Sequence, residues 1–387
     1  MRDGLRVFDA DGHTIDAPDL YERYLEPKYR SRIKRLDVPS SPAPLYEVDG
    51  VCTLQLSVDN SPEPGAQYAR WTRERMLEVF GEPARRGWDG ASVGAALEQM
   101  GVDVSVIYGP GYDMWIPGID PELAEAMARA YCLWLVDYGA ASRGRVIGAA
   151  PLPIQDVKRA VAVLRWAHGE LGMRAFWCRP NLINGRNLGD RAYDPLWETL
   201  VELDAALGLH GFMGSGLPAA GKDRFHRNVD LHVCEHPMEL QMALLALLVE
   251  GTFERFPELR IGLLEGGSAW VPWWLRRIEE HFEVGEWYRA KRLSLKPTEY
   301  FKRNCWVTSE PDEDLLHQVI DYLGDDRILF PTDYPHPDAK FPGAVDAFLE
   351  LPRVTRESKR RILWDNALDY YGMEEKDLPA PAAERRA

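Results

Sequence analysis

The stretch that decides the fold of this chain is Leu5-Arg-Val-Phe-Asp9-Ala-Asp11-Gly-His13. An apolar start that ends in acids, a glycine and a histidine indicates a buried strand that reaches the carboxyl edge of a parallel sheet. Because side chains alternate between the two faces of a strand, Asp9, Asp11 and His13 point the same way. At about 3.3 Å per residue, Asp9 and His13 stand roughly 13 Å apart, too far to bind one ion. We therefore expect Asp11 and His13 to be metal ligands, with Asp9 deeper and supporting them.

Similar short apolar segments alternate with amphipathic stretches along the chain, which is typical of β/α units around a parallel sheet. The sequence predicts eight strands, at 5–11, 104–109, 146–152, 173–179, 209–214, 260–265, 304–309 and 328–333. It predicts helices at 121–141, 156–171, 192–207, 237–254, 270–284, 312–323 and 355–372. No strand leads into a GxGxxG turn, so we expect an α/β fold of the closed (β/α)8 TIM-barrel type rather than a doubly wound open sheet.

Two regions depart from this alternation. Residues 36–90 are rich in Pro, Ser, Gly and acids, and we expect them to form a long, lid-like insertion after the first strand. Residues 374–387, with their prolines and alanines, are expected to be a disordered tail. The rest of residues 1–373 is predicted to be a single barrel domain.

Composition narrows the range of partners and compartments. A net charge of −15 would repel a phosphate backbone, so we expect no nucleic-acid partner. Five scattered cysteines without CxxC spacing favour a reducing cytoplasm over a disulfide framework or a thiolate zinc site. The longest apolar run, 242–249, is far shorter than the roughly 20 residues needed to cross a bilayer, so we expect no membrane span. Thirteen tryptophans either pack barrel against helices or line an apolar substrate pocket.

Two further strands end in acids. Arg260-Ile-Gly-Leu-Leu-Glu265 precedes two glycines, and Ile328-Leu-Phe-Pro-Thr-Asp333 is followed three residues later by His336. With Asp11, three strands thus deliver a carboxylate to one face. Burying unpaired charges is costly and a cation removes that cost, so this pattern predicts a metal site containing Glu265 and Asp333.

His232 and His236 stand four apart just before Pro237. This spacing would put both rings on one helical face, as metal ligands require. The alternative is that a helix begins at Pro237 and His236 is the neighbour of its N-cap. We predict that His236 is a ligand or contacts substrate, and that His232 has a supporting role.

These motifs, in this order, resemble the amidohydrolase-2 family of the amidohydrolase superfamily, which includes aminocarboxymuconate-semialdehyde decarboxylase-like enzymes. The markers are Asp9-Ala-Asp-Gly-His-Thr, Gly101-Val-Asp-Val, Tyr193-Asp-Pro-Leu-Trp197, Phe256-Pro-Glu-Leu-Arg260, Leu264-Glu-Gly-Gly-Ser-Ala-Trp-Val-Pro272, Thr332-Asp-Tyr-Pro-His336 and Asn366-Ala. The resemblance covers nearly the whole chain and implies a metal site at the carboxyl ends of the strands.

The chain departs from the family pattern at three positions. It has Asp11 and Glu265 where the resemblance implies histidines, and Met213 where a histidine on the fifth strand is expected. His210 lies three residues before Met213 and by strand alternation would face the opposite way, so it is expected only to support the site. A site rich in oxygen donors favours iron or manganese over zinc and can hold one or two ions. In this it resembles carboxylate-rich, non-haem dinuclear oxygenases of the family.

Three functional hypotheses follow. The leading one is a non-haem dinuclear iron or manganese oxygenase that hydroxylates an apolar small molecule. The second is a metal-dependent hydrolase or non-oxidative decarboxylase in which His336 or Asp333 shuttles a proton, with His236 as a further catalytic candidate. The third is a metal-poor partner subunit of a catalytic homologue, because Met213 replaces an expected ligand. The active unit is expected to be a homodimer or a hetero-oligomer with such a homologue.

Overall fold

Parallel strands form a barrel in the computed structural model of the chain. The structure describes residues 1–36, 43–52, 73–109, 112–211, 216–225, 228–284, 293–336 and 338–380. The described strands are β1 Phe8–Gly12, β2 Ile33–Leu36, β3 Leu45–Val48, β4 Val51–Cys52, β5 Val104–Ile107, β6 Val146–Gly148, β7 Ala150–Pro151, β8 Ala175–Cys178, β9 Ala206–His210, β10 Arg260–Leu264, β11 Cys305–Thr308 and β12 Ile328–Leu329.

Two parallel sheets, β1-β5-β6 and β7-β8-β9-β10-β11-β12, form the barrel wall. Only Ala149 separates β6 from β7, and its N–H donates to the Ile107 carbonyl over 2.9 Å, so these two segments act as one barrel strand. The wall closes between β12 and β1, where Ala10 N–H donates to the Phe330 carbonyl (2.8 Å) and Asp333 N–H to the Asp11 carbonyl (3.0 Å). These contacts give eight strand positions and confirm the predicted (β/α)8 barrel.

Helices connect the strands and cover the outside of the barrel. The described α-helices are Leu20–Tyr24, Arg73–Phe80, Glu82–Arg85, Gly90–Met100, Pro121–Ala141, Val157–Leu171, Asp194–Glu202, Asn228–Val249, Thr252–Arg255, Trp270–Val284, Pro297–Asn304, Leu316–Leu323, Ala344–Glu350, Arg356–Arg360 and Asn366–Tyr371. Short 3-10 segments lie at Pro27–Arg32, Tyr112–Trp115, Arg191–Tyr193 and Glu375–Asp377, and a π-helical turn lies at Arg361–Asp365. No described helix is both long and apolar enough to span a membrane.

Two predicted boundaries near the barrel mouth are wrong. The fifth barrel strand, expected at 209–214, is Ala206–His210, because it pairs residue by residue with Arg260–Leu264 of β10. The helix expected to begin at Pro237 begins at Asn228, so Pro237 lies inside it. Both differences change which histidines face the mouth.

The barrel floor is filled by tyrosines that lie below the mouth. Tyr108 Oη lies 2.8 Å from Tyr371 Oη, and Tyr371 donates to the Ala10 carbonyl over 2.9 Å. Gly208 leaves room for this packing, since a Cβ there would lie 2.7 Å from the Tyr108 ring. The Tyr108 ring also stacks on His210 with centroids 5.6 Å apart, and so supports that imidazole from below.

The predicted insertion and tail are described only in part. In this region, β2, β3 and β4 form a three-stranded antiparallel sheet, which precedes the helix Arg73–Phe80. Residues 37–42 and 53–72 lie outside the described residues. Phe80 contacts Tyr334 beside the mouth, with ring centroids 5.4 Å apart. In the tail, Glu375 accepts a 2.6 Å hydrogen bond from Arg6, and residues 381–387 lie outside the described residues.

Candidate metal centre

Eight side chains converge at the carboxyl ends of four barrel strands and on one neighbouring helix. They are Asp11 on β1, His13 just after it, His210 at the end of β9, Glu265 just after β10, Asp333 and His336 after β12, and His232 and His236 on the helix Asn228–Val249. Six of them are the residues that the sequence predicted as ligands or catalytic groups, and a seventh, His232, was predicted to support them. The eighth, His210, was expected to face away.

His13 lies at the centre of the cluster. Its Nε2 lies 3.0 Å from Asp333 Oδ1, 3.5 Å from Glu265 Oε2 and 3.8 Å from Asp11 Oδ1. The three predicted carboxylates, from three different strands, therefore meet around one imidazole nitrogen. Asp11 is buried, with 1% of its surface exposed, so this convergence takes place out of bulk solvent.

His210 belongs to the same cluster, and its expected orientation is therefore wrong. Its Nε2 lies 2.7 Å from Glu265 Oε2 and 3.5 Å from Asp11 Oδ1. The error came from the strand boundary, because the strand ends at His210, whose register partner is Leu264, one residue before Glu265. Met213 lies outside the described residues, and His210 contributes an imidazole to the cluster.

Three more histidines surround the other oxygen of Glu265. Glu265 Oε1 lies 3.4 Å from His236 Nε2, 3.7 Å from His232 Nε2 and 3.5 Å from His336 Nδ1. His232 and His236 stack with ring centroids 4.2 Å apart, since residues four apart share one helical face. The predicted helical pairing of these two rings is therefore present, within a helix that starts earlier than expected.

The outer nitrogens of two imidazoles are fixed by backbone carbonyls. His13 Nδ1 lies 2.8 Å from the Tyr108 carbonyl oxygen, and His210 Nδ1 lies 2.7 Å from the Gly211 carbonyl oxygen. A carbonyl only accepts, so each Nδ1 must carry the proton, and in the neutral ring Nε2 then holds a lone pair. Both lone pairs face the carboxylates, which is the arrangement that metal-binding histidines adopt.

Several buried atoms in this cluster have no hydrogen bond of ordinary geometry. They are both carboxylate oxygens of Asp11, Nε2 of His13 and of His210, Oε2 of Glu265 and Oδ1 of Asp333. Buried polar atoms are normally paired, and a cation satisfies such a set at once. The donor set therefore fits a divalent metal ion, and three overlapping groups of these side chains have ligand atoms within 4.8 Å of one another.

The pKa shifts in this cluster reflect close pairing of carboxylates with imidazoles. Burial lowers the pKa of His210, but Glu265 and Asp11 outweigh it and raise that pKa to about 10. Burial also lowers the pKa of His336, yet Asp333 and Glu265 hold it well above its usual value. Burial raises the pKa of Glu265, but His236, His210 and His336 hold it well below its usual range. The carboxylates of this cluster therefore stabilise positive charge on the neighbouring imidazoles.

The backbone is strained where two of the carboxylates are presented. Glu265 and Asp333 both have φ of +55°, a left-handed conformation that non-glycine residues seldom adopt. Each follows the end of its strand and turns its carboxylate back over the barrel axis. Such strain, of order 1–3 kcal/mol per residue, concentrates at functional sites.

The sequence of this chain is similar to those of several known proteins. A family model described as amidohydrolase matches residues 117–373. The chain is 29% identical over 233 residues to 2-amino-3-carboxymuconate-6-semialdehyde decarboxylase of Dictyostelium discoideum, an alignment that covers 59% of this chain and only 62% of that protein. It is 28% identical to gamma-resorcylate decarboxylase of Polaromonas sp., with 65% of this chain and 78% of that protein covered.

Solved structures share the fold over nearly the whole chain. An amidohydrolase from Mycobacterium avium subsp. paratuberculosis superposes with a TM-score of 0.74 at 21% identity, covering 95% of this chain and 100% of that one. A dihydroxybenzoic acid decarboxylase from Polaromonas sp., solved with bound manganese and an inhibitor, superposes with a TM-score of 0.62 at 19% identity, covering 95% and 97%.

The expectation of an oxygenase is wrong. Curated relatives of this chain include several decarboxylases, and similar solved structures include further decarboxylases. The oxygenase hypothesis rested on the hardness of the donor atoms and on the likeness of this donor set to that of dinuclear oxygenases. Hard oxygen donors select the ion and do not select the reaction, so a donor set of this kind does not by itself indicate chemistry with oxygen.

Proposed function

This chain belongs to the amidohydrolase family. We propose that it is a metal-dependent enzyme that removes CO2 from a carboxylic acid in a reaction that does not use oxygen. The observation that carries the proposal is the convergence of unpaired, buried nitrogen and oxygen atoms at the barrel mouth. Decarboxylase relatives support the choice of reaction, and substrates of their kind, electron-rich unsaturated or aromatic acids, are the substrate class we propose. The predicted apolar substrate is thereby replaced by one with an anionic group.

The proposed ligands of the ion are Asp11, His13, His210 and Asp333, with Glu265 Oε2 beside them. Mixed carboxylate and imidazole donors suit manganese or iron, with zinc as a third choice, and a similar decarboxylase structure contains manganese. When bound, such an ion supplies positive charge that holds the oxygens of an anionic substrate. The ion would also satisfy the buried lone pairs that the fold leaves open.

His336 is the proposed proton carrier. Its Nδ1 lies 2.7 Å from Asp333 Oδ1, and its ring stacks on His13 with centroids 4.0 Å apart, so its orientation is fixed. Its side chain is 27% exposed, which leaves it within reach of a substrate at the mouth. The bond from carbon to the carboxyl group breaks, its electron pair stays on that carbon, CO2 leaves, and a proton takes its place.

Release of CO2 from manganese-loaded protein tests the reaction. The acids to supply are 2,6-dihydroxybenzoate, 5-carboxyvanillate and 2-amino-3-carboxymuconate-6-semialdehyde, each with and without oxygen. We expect CO2 from at least one of them at equal rates in both atmospheres, and loss of the activity with a chelator. Turnover that consumes oxygen, or metal-loaded protein that releases no CO2 from any of them, would contradict the proposal.

The His336→Gln variant tests the proton carrier. We expect the rate of CO2 release to fall about 100-fold or more, because general acid catalysis by a placed side chain contributes that much. Bound manganese should be unchanged, and the exposed His281→Ala should keep the wild-type rate. A wild-type rate for His336→Gln would assign the proton to another group. The predicted dimer or hetero-oligomer stays a prediction.

A further inference from the structure

Glu265 begins a tight turn between β10 and the helix Trp270–Val284. Glu265 has φ of +55° and Gly267 has φ of +63°, so the chain is left-handed at both residues. A left-handed glutamate is strained and persists only where neighbouring groups fix its conformation. The direction of the Glu265 carboxylate therefore depends on the groups that hold this turn.

Glu313 holds the far end of the turn. Its Oε1 accepts hydrogen bonds from Ser268 N over 3.1 Å and from Ala269 N over 2.5 Å. Its Oε2 accepts from Ser268 N over 3.1 Å and from Ser268 Oγ over 2.9 Å. Oε2 also accepts from Glu310 N over 3.1 Å, which fixes the carboxylate to its own loop. An ionised carboxylate has acceptors only, and so satisfies all of these donors with its two oxygens.

Thr308 holds the start of the turn. Its Oγ1 accepts a 2.9 Å hydrogen bond from Glu265 N, and its side chain is buried. Thr308 ends β11, and Glu313 lies in the loop that follows this strand. The segment after β11 therefore holds both ends of the turn that follows β10, its neighbour in the barrel wall.

Gly266 places the same turn against the helix Asn228–Val249. A Cβ at Gly266 would lie 2.7 Å from Leu240 Cδ1 and 3.4 Å from Pro237 Cα, so the turn and the helix backbone approach closely there. Since this helix carries His236, movement of the turn would change the 3.4 Å distance between His236 Nε2 and Glu265 Oε1. The turn is thus fixed both by hydrogen bonds and by packing.

We propose that Glu313, together with Thr308, is a positioning residue for the metal centre. It holds the turn in the shape that directs the Glu265 carboxylate at the imidazoles around it. Both oxygens of Glu313 already accept hydrogen bonds, so it acts through Glu265 and is not a further ligand. The inference rests on the metal centre of the proposed function and does not depend on the reaction.

A double-mutant cycle on Mn²⁺ binding tests this role. The dissociation constant for Mn²⁺ is measured without substrate in the full-length wild type, Glu313→Gln, Glu265→Ala and the double variant. Glu313→Gln replaces one acceptor oxygen by an NH2 group that only donates, so we expect the dissociation constant to rise about 10–100-fold. In the Glu265→Ala background the same substitution should change it less than about twofold, because no carboxylate then remains to be positioned.

An equal rise in both backgrounds would show that Glu313 supports folding in general and would overturn the proposal. An unchanged dissociation constant in Glu313→Gln alone would overturn it as well. Neither result depends on CO2 release, so the positioning role and the proposed reaction fail separately.

Two further variants complete the design. Asp314→Asn removes the same charge from the next residue, which is exposed, and should keep the wild-type dissociation constant. Thr308→Val keeps the shape of the side chain but leaves Glu265 N without its acceptor. It takes the place of Glu313→Gln in the cycle should that variant not fold. We expect it too to weaken Mn²⁺ binding only where Glu265 is present, and an equal effect in both backgrounds would contradict the positioning role.

Discussion

Asp9 and Asp11 are two residues apart on one strand and are 0% and 1% exposed, yet their surroundings differ completely. Asp9 lies at the seam between β1 and β12, and both its oxygens are paired: with Thr332 N and Oγ1, with Ser105 Oγ and with Asp11 N. Neither oxygen of Asp11 accepts a hydrogen bond. Burial of an acid therefore does not identify a ligand; unpaired burial does.

Asp9 and Asp11 therefore have different roles, Asp9 at the seam between strands and Asp11 in the metal cluster at the mouth. Burial raises the pKa of Asp9 to about 6, although bonds from Thr332 and Ser105 lower it. Those bonds join β5 and the segment after β12 to β1. Asp11 lies nearer the mouth, and both of its buried carboxylate oxygens are available to a metal ion. The comparison predicts that the two aspartates fail in different ways.

The largest effect is expected from Asp11→Asn. Removal of one negative ligand should weaken Mn²⁺ binding and CO2 release by about 100-fold or more, since even outer partners of metal ligands contribute 10–100-fold. Metal analysis and a CO2 assay measure both losses. The exposed Asp3→Asn is the control for loss of a charge. If Asp11→Asn bound metal like the wild type, Asp11 would not be a metal ligand.

Asp9→Ala should break the seam and spare the ligands. It leaves the Thr332 and Ser105 donors buried without an acceptor, and each buried donor left unpaired costs roughly 1–3 kcal/mol of unfolding free energy. Denaturant unfolding measures this cost, and bound Mn²⁺ per folded chain is counted on the same sample. Asp9 would prove to be a ligand if metal were lost while stability stayed unchanged.

Glu239 extends the comparison to a buried carboxylate with one hydrogen bond shown, from Ala220 N at 2.7 Å. Burial raises its pKa to about 7 from an ordinary 4.5. Between these values the folded protein binds the proton more tightly than the unfolded chain does, so wild-type stability should fall as pH rises from 4.5 to 7. The wild-type protein should lose on the order of 1–3 kcal/mol of unfolding free energy between pH 4.5 and pH 7, and Glu239→Gln should not show this loss.

Unfolding free energies at pH 4.5 and pH 8 check this prediction, with the exposed Glu283→Gln as the matched control. Glu239→Gln should be the more stable protein at pH 8 and about equal to the wild type at pH 4.5. Equal pH dependence in the two proteins would show that Glu239 is ionised at no cost.

The smallest effect is expected from Ser105→Ala. It removes one of the donors to Asp9, the 2.7 Å bond from Ser105 Oγ, and leaves the Thr332 donors in place. A single hydrogen bond of this kind contributes about 1 kcal/mol net to stability. Denaturant unfolding should show a loss well below that of Asp9→Ala. A loss as large as that of Asp9→Ala would mean that the Thr332 bonds contribute little.

Most of the barrel was predictable because strand and helix patterns are local. The helices 121–141 and 270–284 and the acid at the end of three strands follow from residues that are neighbours in sequence. His210 was misjudged because the fifth strand takes its boundary from pairing with Arg260–Leu264, more than fifty residues further along the chain. A hydrophobic pattern alone does not show at which residue a buried strand stops.

The amino-acid sequence by itself determined the fold class and the kinds of donor atom at the mouth, since hydrophobic periodicity and residue chemistry are readable one segment at a time. The tertiary structure alone decided which donors remain unpaired. Ser105 reaches Asp9 from β5 and Thr332 from the segment after β12, whereas none of the described residues hydrogen-bonds to the side chain of Asp11. Hydrogen-bond satisfaction depends on what the folded chain brings within about 3 Å, and no local pattern carries that information.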